Sequence, residues 1–126
     1  MTEYQVLNLM YVAFISNAMY FVGCILLVWL GFRMANNIYN SSENNMLAKV
    51  FTSLFCVLVA ITLFYTQQVG GGIFNGYVNQ LADMGASSAD RFQPYLDNPL
   101  VIGGPVSSLF TLVVVVFQLA IVWSKK

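Results

Sequence analysis

Charged residues are scarce in this chain, and their scarcity sets its class. Only 8% of the 126 residues are charged, whereas 59% are hydrophobic. An average soluble domain has about 25% charged residues, so a chain this apolar cannot cover itself with a water-soluble surface. The composition excludes an ordinary soluble enzyme, a nucleic-acid-binding domain and a disordered tail, and it predicts an integral membrane protein of one small domain.

Histidine is absent altogether, and this absence excludes several kinds of site. Without histidine the chain alone cannot build a His-ligated haem, zinc or di-iron site, or use a histidine base. The two cysteines, Cys24 and Cys56, lie within apolar runs, where cysteine usually packs as a small hydrophobe. Residues 70–76 lack the lysine of a phosphate-binding loop. We therefore expect no cofactor, no metal and no catalysis by this chain alone.

The balance of charge excludes a nucleic-acid partner as well. Five basic and five acidic residues leave a net charge of zero, so no overall field attracts the chain to a polyanion.

What the sequence does contain is three long runs without charge, at residues 4–32, 50–82 and 98–124. About 20 apolar residues in a helix cross the hydrocarbon of a bilayer. The runs predict an all-α integral membrane protein, a single three-span domain over residues 1–126. The spans are expected near residues 10–32, 50–69 and 105–123, with an extracytoplasmic loop at 70–104.

The basic residues predict the orientation of the spans. Arg33 and Lys49 flank the first connection, and Lys125 and Lys126 follow the third span, whereas Arg91 lies in the second connection. Because basic residues collect on the cytoplasmic side, we expect the N-terminus outside and the C-terminus in the cytoplasm. The expected location is a bacterial inner (plasma) membrane.

The second connection contains an amphipathic segment. Three glycines at Gly70–Gly72 are expected to end the second helix. Residues 73–84 then predict a short amphipathic helix in the extracytoplasmic loop. Its apolar face would either rest on the bilayer or dock on a partner subunit. The docking candidates on this face are Phe74, Tyr77, Val78, Leu81 and Met84.

Small and polar side chains form a stripe along each predicted span, a pattern typical of close helix packing and interhelical hydrogen bonds. The packing candidates are Asn17, Cys24, Gly31, Ser53, Cys56, Ala60, Gln67, Gly104, Ser107, Ser108, Thr111 and Gln118. The other interpretation is a polar pathway, with Asn17, Thr62 and Thr111 forming a ring at similar depth.

Two functional hypotheses follow. The first is a small non-catalytic structural or accessory subunit of a larger membrane complex, an oxidoreductase or transporter whose chemistry lies in other chains. The alternative is a homo-oligomeric channel or transporter for a small uncharged solute. The expected partners are other integral membrane subunits or copies of this chain, together with the lipid bilayer.

Overall fold

The computed structural model describes residues 1–124, and within that range it is entirely helical, with no strand. The elements are α1 (Glu3–Asn40), α2 (Met46–Asp83), α3 (Ser87–Leu96) and α4 (Pro105–Ser124). Three of them, α1, α2 and α4, are long and apolar enough to cross a membrane. These three helices confirm the all-helical part of the prediction. Lys125 and Lys126, on which part of the predicted orientation rests, lie outside the described residues.

Two of the helices are far longer than the predicted spans. α1 and α2 each have 38 residues, which corresponds to about 57 Å of helix. A capping box between Thr2 and Gln5 starts α1, and the Asn45 side chain accepts hydrogen bonds from the first turn of α2. Side-chain capping of these first turns satisfies backbone N–H groups that have no partner within the helix.

The long helices pack against each other in antiparallel register. Near one end Val6 of α1 packs with Leu81 of α2, and near the other Gly31 contacts Cys56. The shorter α4 lies beside their middle portions. Thr111 in the second turn of α4 bonds to Gln67 of α2, and Gln118 near the other end of α4 bonds to the backbone of Val28 in α1.

α1 and α2 therefore extend past the N-terminal end of α4 by about three turns, or roughly 16 Å. We call residues 3–13 and 73–83, together with α3, the projecting end.

α2 runs through Gly70–Gly72 without interruption. The prediction that these glycines end the helix is wrong, and residues 73–83 are the last turns of α2 rather than a separate helix. A Cβ atom added at Gly71 would lie 2.7 Å from the backbone oxygen of Ile102, so the neighbouring loop needs a glycine there. A glycine weakens a helix by about 1 kcal/mol relative to alanine. At Gly71 we attribute the compensation for this loss of stability to the close packing of α2 against the loop.

Within the projecting end, α3 packs against the ends of α1 and α2. It begins without a side-chain cap of its own. Instead, the Glu3 carboxylate of α1 accepts a hydrogen bond of 3.2 Å from the backbone N–H of Ser88. A carboxylate suits the first turn of a helix, where backbone N–H groups lack partners and the dipole is positive. Pro94 lies inside α3 and does not stop it.

Candidate functional site

The predicted packing residues lie mostly between the three long helices. Those that are buried are Asn17, Cys24, Gly31, Cys56, Gln67, Thr111 and Gln118, and those that are partly buried are Ser53, Ala60, Gly104, Ser107 and Ser108. None of them lies on the fully exposed outer surface.

The closest contact between α1 and α4 surrounds Gly31. The Gln118 side chain is 1% exposed, and its Nε2 donates a 3.0 Å hydrogen bond to the backbone oxygen of Val28. A Cβ atom added at Gly31 would lie 2.8 Å from that nitrogen and 3.2 Å from Cys56 Sγ. The absence of a side chain at Gly31 therefore makes room for the buried glutamine.

A second polar contact joins α2 and α4. The Thr111 hydroxyl donates a 2.9 Å hydrogen bond to Gln67 Oε1, and both side chains are buried. Thr62, by contrast, is exposed and donates to the backbone oxygen of Leu58 in its own helix. Thr62 therefore does not form the expected ring with Asn17 and Thr111, and Gln67 lies in that position instead.

Cys24 has a buried partner that the sequence stripes did not include. Its Sγ lies 3.7 Å from the Thr66 hydroxyl of α2. Thr66 is adjacent in sequence to Gln67, which the stripes did include, but polarity alone gave no means of choosing it over Thr62.

A cavity of about 550 Å³ lies between α1, α4 and the loop before α4. Its polar lining residues are Asn17, Gln67 and Ser107, and none of the described residues that line it is charged. Asn17 is only 6% exposed, yet its side chain forms no hydrogen bond with any described residue. The apolar lining residues are Phe14, Ala18, Phe21, Leu100, Ile102, Val106 and Phe110.

Basic and aromatic side chains meet at the other end of α4. The indole N–H of Trp123 donates a 2.8 Å hydrogen bond to Ser53 Oγ, and Lys49 Nζ lies 5.6 Å from the centre of the Trp123 ring. Arg33 lies at 5.5 Å over the ring of Trp29. Tryptophan beside lysine or arginine is typical of the boundary between hydrocarbon and water.

The docking candidates lie elsewhere than expected. Phe74, Val78 and Leu81 are buried within this chain, where they pack against α1 and α3. Tyr77 is half-buried, and only Met84 is exposed. The amphipathic pattern thus reflects packing inside the projecting end, and in this conformation the three buried side chains are not accessible to another subunit.

An exposed apolar face runs instead along α1, on the side away from α2 and α4. Tyr4, Tyr11 and Val12 belong to the projecting end, and they are 73%, 49% and 64% exposed. We call the whole set the α1 outer face: Tyr4, Asn8, Tyr11, Val12, Ile15, Met19, Val22 and Leu26, all exposed.

The end of α2 beside it has a different surface. There the exposed side chains include Asn75, Asn79 and Asp83. The apolar character of the α1 outer face is therefore a property of α1 and not of the projecting end as a whole.

Within residues 1–124 no three His, Cys, Asp or Glu side chains are grouped so that they could hold a metal ion.

Comparison with known proteins finds no matching family model, no similar curated protein and no similar solved structure. The fold thus defines a class only, an all-helical chain with three helices that could cross a membrane.

Proposed function

We propose that this chain crosses a membrane three times and is a small, non-catalytic accessory subunit of a larger integral membrane complex. The α1 outer face is its docking surface, and the partner is a membrane subunit that offers an apolar helix. The single observation that carries this proposal is the position of that face, which continues about three turns of helix beyond the N-terminal end of α4.

α1 is nearly twice as long as α4, with 38 residues against 20. α4 has 20 residues and so spans about 30 Å, the thickness of the hydrocarbon. The α1 outer face continues past the level of α4 to Tyr11 and Tyr4, where lipid tails would no longer cover it. A mostly apolar stripe outside the hydrocarbon, here Tyr4, Tyr11 and Val12 with Asn8 among them, marks an interaction surface, whereas single exposed apolar residues do not.

The spacing of the face favours a helix as the partner. Tyr4, Asn8, Tyr11, Ile15, Met19, Val22 and Leu26 alternate steps of three and four residues with one exception. Such spacing keeps a stripe on one side of a helix and suits side-by-side packing with a second helix. Tyrosine is also among the residues that contribute most to binding at interfaces.

The proposed orientation is N-terminus outside and C-terminus in the cytoplasm of a bacterial inner membrane. Arg33 and Lys49, with their tryptophan neighbours, would lie at the cytoplasmic boundary, and Arg91 in the projecting end would lie outside. This arrangement agrees with the excess of basic residues in cytoplasmic loops.

The alternative, a channel or transporter built from copies of this chain, has less support. Thr111 and Gln118 are buried and bonded inside the chain and do not face outward, where a central pathway between copies would lie. A second copy seated on the α1 outer face is nevertheless a distinct outcome that the following experiment detects.

The test replaces one tyrosine of the face. We expect Tyr4→Glu to release partner chains that copurify with the wild type in mild detergent, because the substitution places a carboxylate in an apolar interface. The fold should be unaffected, since a negative charge in the first turn of a helix is favourable. Ala82→Glu is the matched control, because Ala82 is also exposed in the projecting end but lies on α2.

Native mass spectrometry of the purified samples gives the result. Different chains bound to the wild type and to Ala82→Glu, but lost from Tyr4→Glu, would support the proposal. Equal retention by both variants, or assemblies of identical chains only, would contradict it.

A further inference from the structure

The cavity between α1 and α4, which we call the α1–α4 groove, opens to the outer surface. Ala18, Val106 and Phe110 line it and are exposed, so its mouth lies between the two helices. Asn17 and Gln67 lie at its inner wall and are 6% and 3% exposed. The groove is thus an apolar cleft with amide groups at its base.

These amides have unused hydrogen-bonding capacity. Asn17 bonds to none of the described residues, and Gln67 uses only its oxygen, which accepts from Thr111. Among the described residues, the one side-chain polar atom that is fully enclosed without a partner is Ser88 Oγ. The free polar atoms of Asn17 and Gln67 are therefore accessible, and the groove is the space that both side chains line.

Buried polar groups in proteins almost always have a hydrogen-bond partner. The hydrocarbon of a bilayer contains no water that could serve as one. A molecule that enters the groove from the side and carries a hydrogen-bond acceptor would satisfy the free N–H groups of both amides. Because the lining residues are uncharged, nothing in the groove favours an ionic group.

The depth of the groove narrows the choice of ligand. Ser107 lies two residues into α4, about 3 Å along the helix from its start. If α4 spans the hydrocarbon, the groove begins at the boundary between headgroups and acyl chains, where the ester carbonyls of glycerolipids lie. It reaches down to Gln67, whose partner Thr111 lies six residues, or about 9 Å, into α4. The volume of about 550 Å³ falls within the range of ligand pockets, roughly 300–1,000 Å³.

We propose that the α1–α4 groove binds one acyl chain of a diester membrane lipid, with the ester carbonyl accepting hydrogen bonds from the Asn17 and Gln67 amides. The aromatic and aliphatic walls contact the chain, and the amides recognise its polar end. This inference rests on the proposal that α1, α2 and α4 cross a bilayer.

The experiment compares two lipids that differ only in the carbonyl. The full chain is purified, delipidated in detergent and titrated in native mass spectrometry with dioleoyl phosphatidylcholine and with its diether analogue. We expect the wild type to bind the diester about fivefold more tightly, because a carbonyl accepts hydrogen bonds from the two amides better than an ether oxygen does. Asn17→Leu should lose most of this preference and retain its fold, because it replaces an unpaired amide with an apolar side chain of similar shape.

Two further variants serve as controls. Thr62→Val changes an exposed threonine that bonds to its own helix and should leave the preference at about fivefold. Ala18→Phe fills the mouth of the groove and should weaken binding of both lipids.

Equal affinity of the wild type for the diester and the diether would overturn the inference. Tighter binding of a short-chain benzoquinone than of the diester would also overturn it, because that molecule carries carbonyl acceptors but is not a lipid ester. Resistance of the chain to alkaline carbonate extraction from membranes tests the bilayer-spanning proposal separately. A chain that stays in the membrane but shows no preference for the diester thus refutes the lipid site alone.

Discussion

At the scale of single residues, two positions without a side chain allow close approaches between parts of this molecule. Gly31 makes room for the buried Gln118, and Gly71 faces the backbone of Ile102. In membrane proteins, small residues let helices approach closely enough for packing and hydrogen bonds to hold them together. The neighbouring Gly72 has nothing within 4 Å of an added Cβ, so the three consecutive glycines are not equivalent.

This difference gives a prediction. Gly72→Ala should stabilise the protein by about 1 kcal/mol, since alanine is the better helix former and has space there. Gly71→Ala should destabilise it by about 1–2 kcal/mol, because the backbone carbonyl of Ile102 has to move and overpacking outweighs the gain in helix propensity. Thermal unfolding in detergent, followed by circular dichroism, measures both variants. An equal rise in Tm for the two would contradict the packing described for Gly71.

At the scale of elements, the projecting end explains the amphipathic pattern of residues 73–83. Val78 and Leu81 are fully buried, and they pack with α1 and α3 in two small apolar clusters. The polar side of the same turns is exposed. α2 thus continues as an upright helix whose apolar face is covered by its own chain.

Leu81→Asp should therefore disrupt the fold of the projecting end itself. A carboxylate at a site with 0% exposure costs several kcal/mol unless it is paired. We expect faster amide hydrogen exchange in residues 3–13 and 73–96, with unchanged protection of α4. Asn79→Asp, on the exposed side of the same turns, should leave exchange as in the wild type. Wild-type protection in the Leu81→Asp variant would show that this side chain is not buried.

The sequence was sufficient to predict the three apolar helices, because charge-free runs longer than a span leave few other structures. It was not sufficient to predict that α2 continues through the glycines. A glycine weakens a helix locally, whereas the contact that compensates at Gly71 comes from Ile102, distant along the chain.

The candidate site was predictable to a similar extent. The stripes included Gln67 and Thr111, but polarity and helical angle could not show that these two would bond to each other. The amphipathic pattern revealed that Phe74 and Leu81 share a face. It could not show that α1 and α3 cover that face, because the periodicity of one segment does not indicate which other segment packs against it.

At the scale of the whole molecule, the three-span proposal places α4 and the adjoining parts of α1 and α2 in the bilayer, with the projecting end on one side and the loop between α1 and α2 on the other. Lys49, Trp123 and Ser53 cluster at the end near that loop. In this arrangement α2 crosses the bilayer once, and an odd number of crossings separates the two ends of the chain.

The accessibility of introduced cysteines to a membrane-impermeant reagent shows whether α2 crosses the bilayer once. Cys24 and Cys56 are replaced by alanine, and single cysteines are introduced as Asn44→Cys in the first loop and Asn79→Cys in the projecting end, both at exposed positions. We expect a membrane-impermeant maleimide to label Asn79→Cys on intact spheroplasts and to label Asn44→Cys only after permeabilisation. Labelling of both cysteines from the same side would contradict a single crossing by α2 and with it the three-span arrangement.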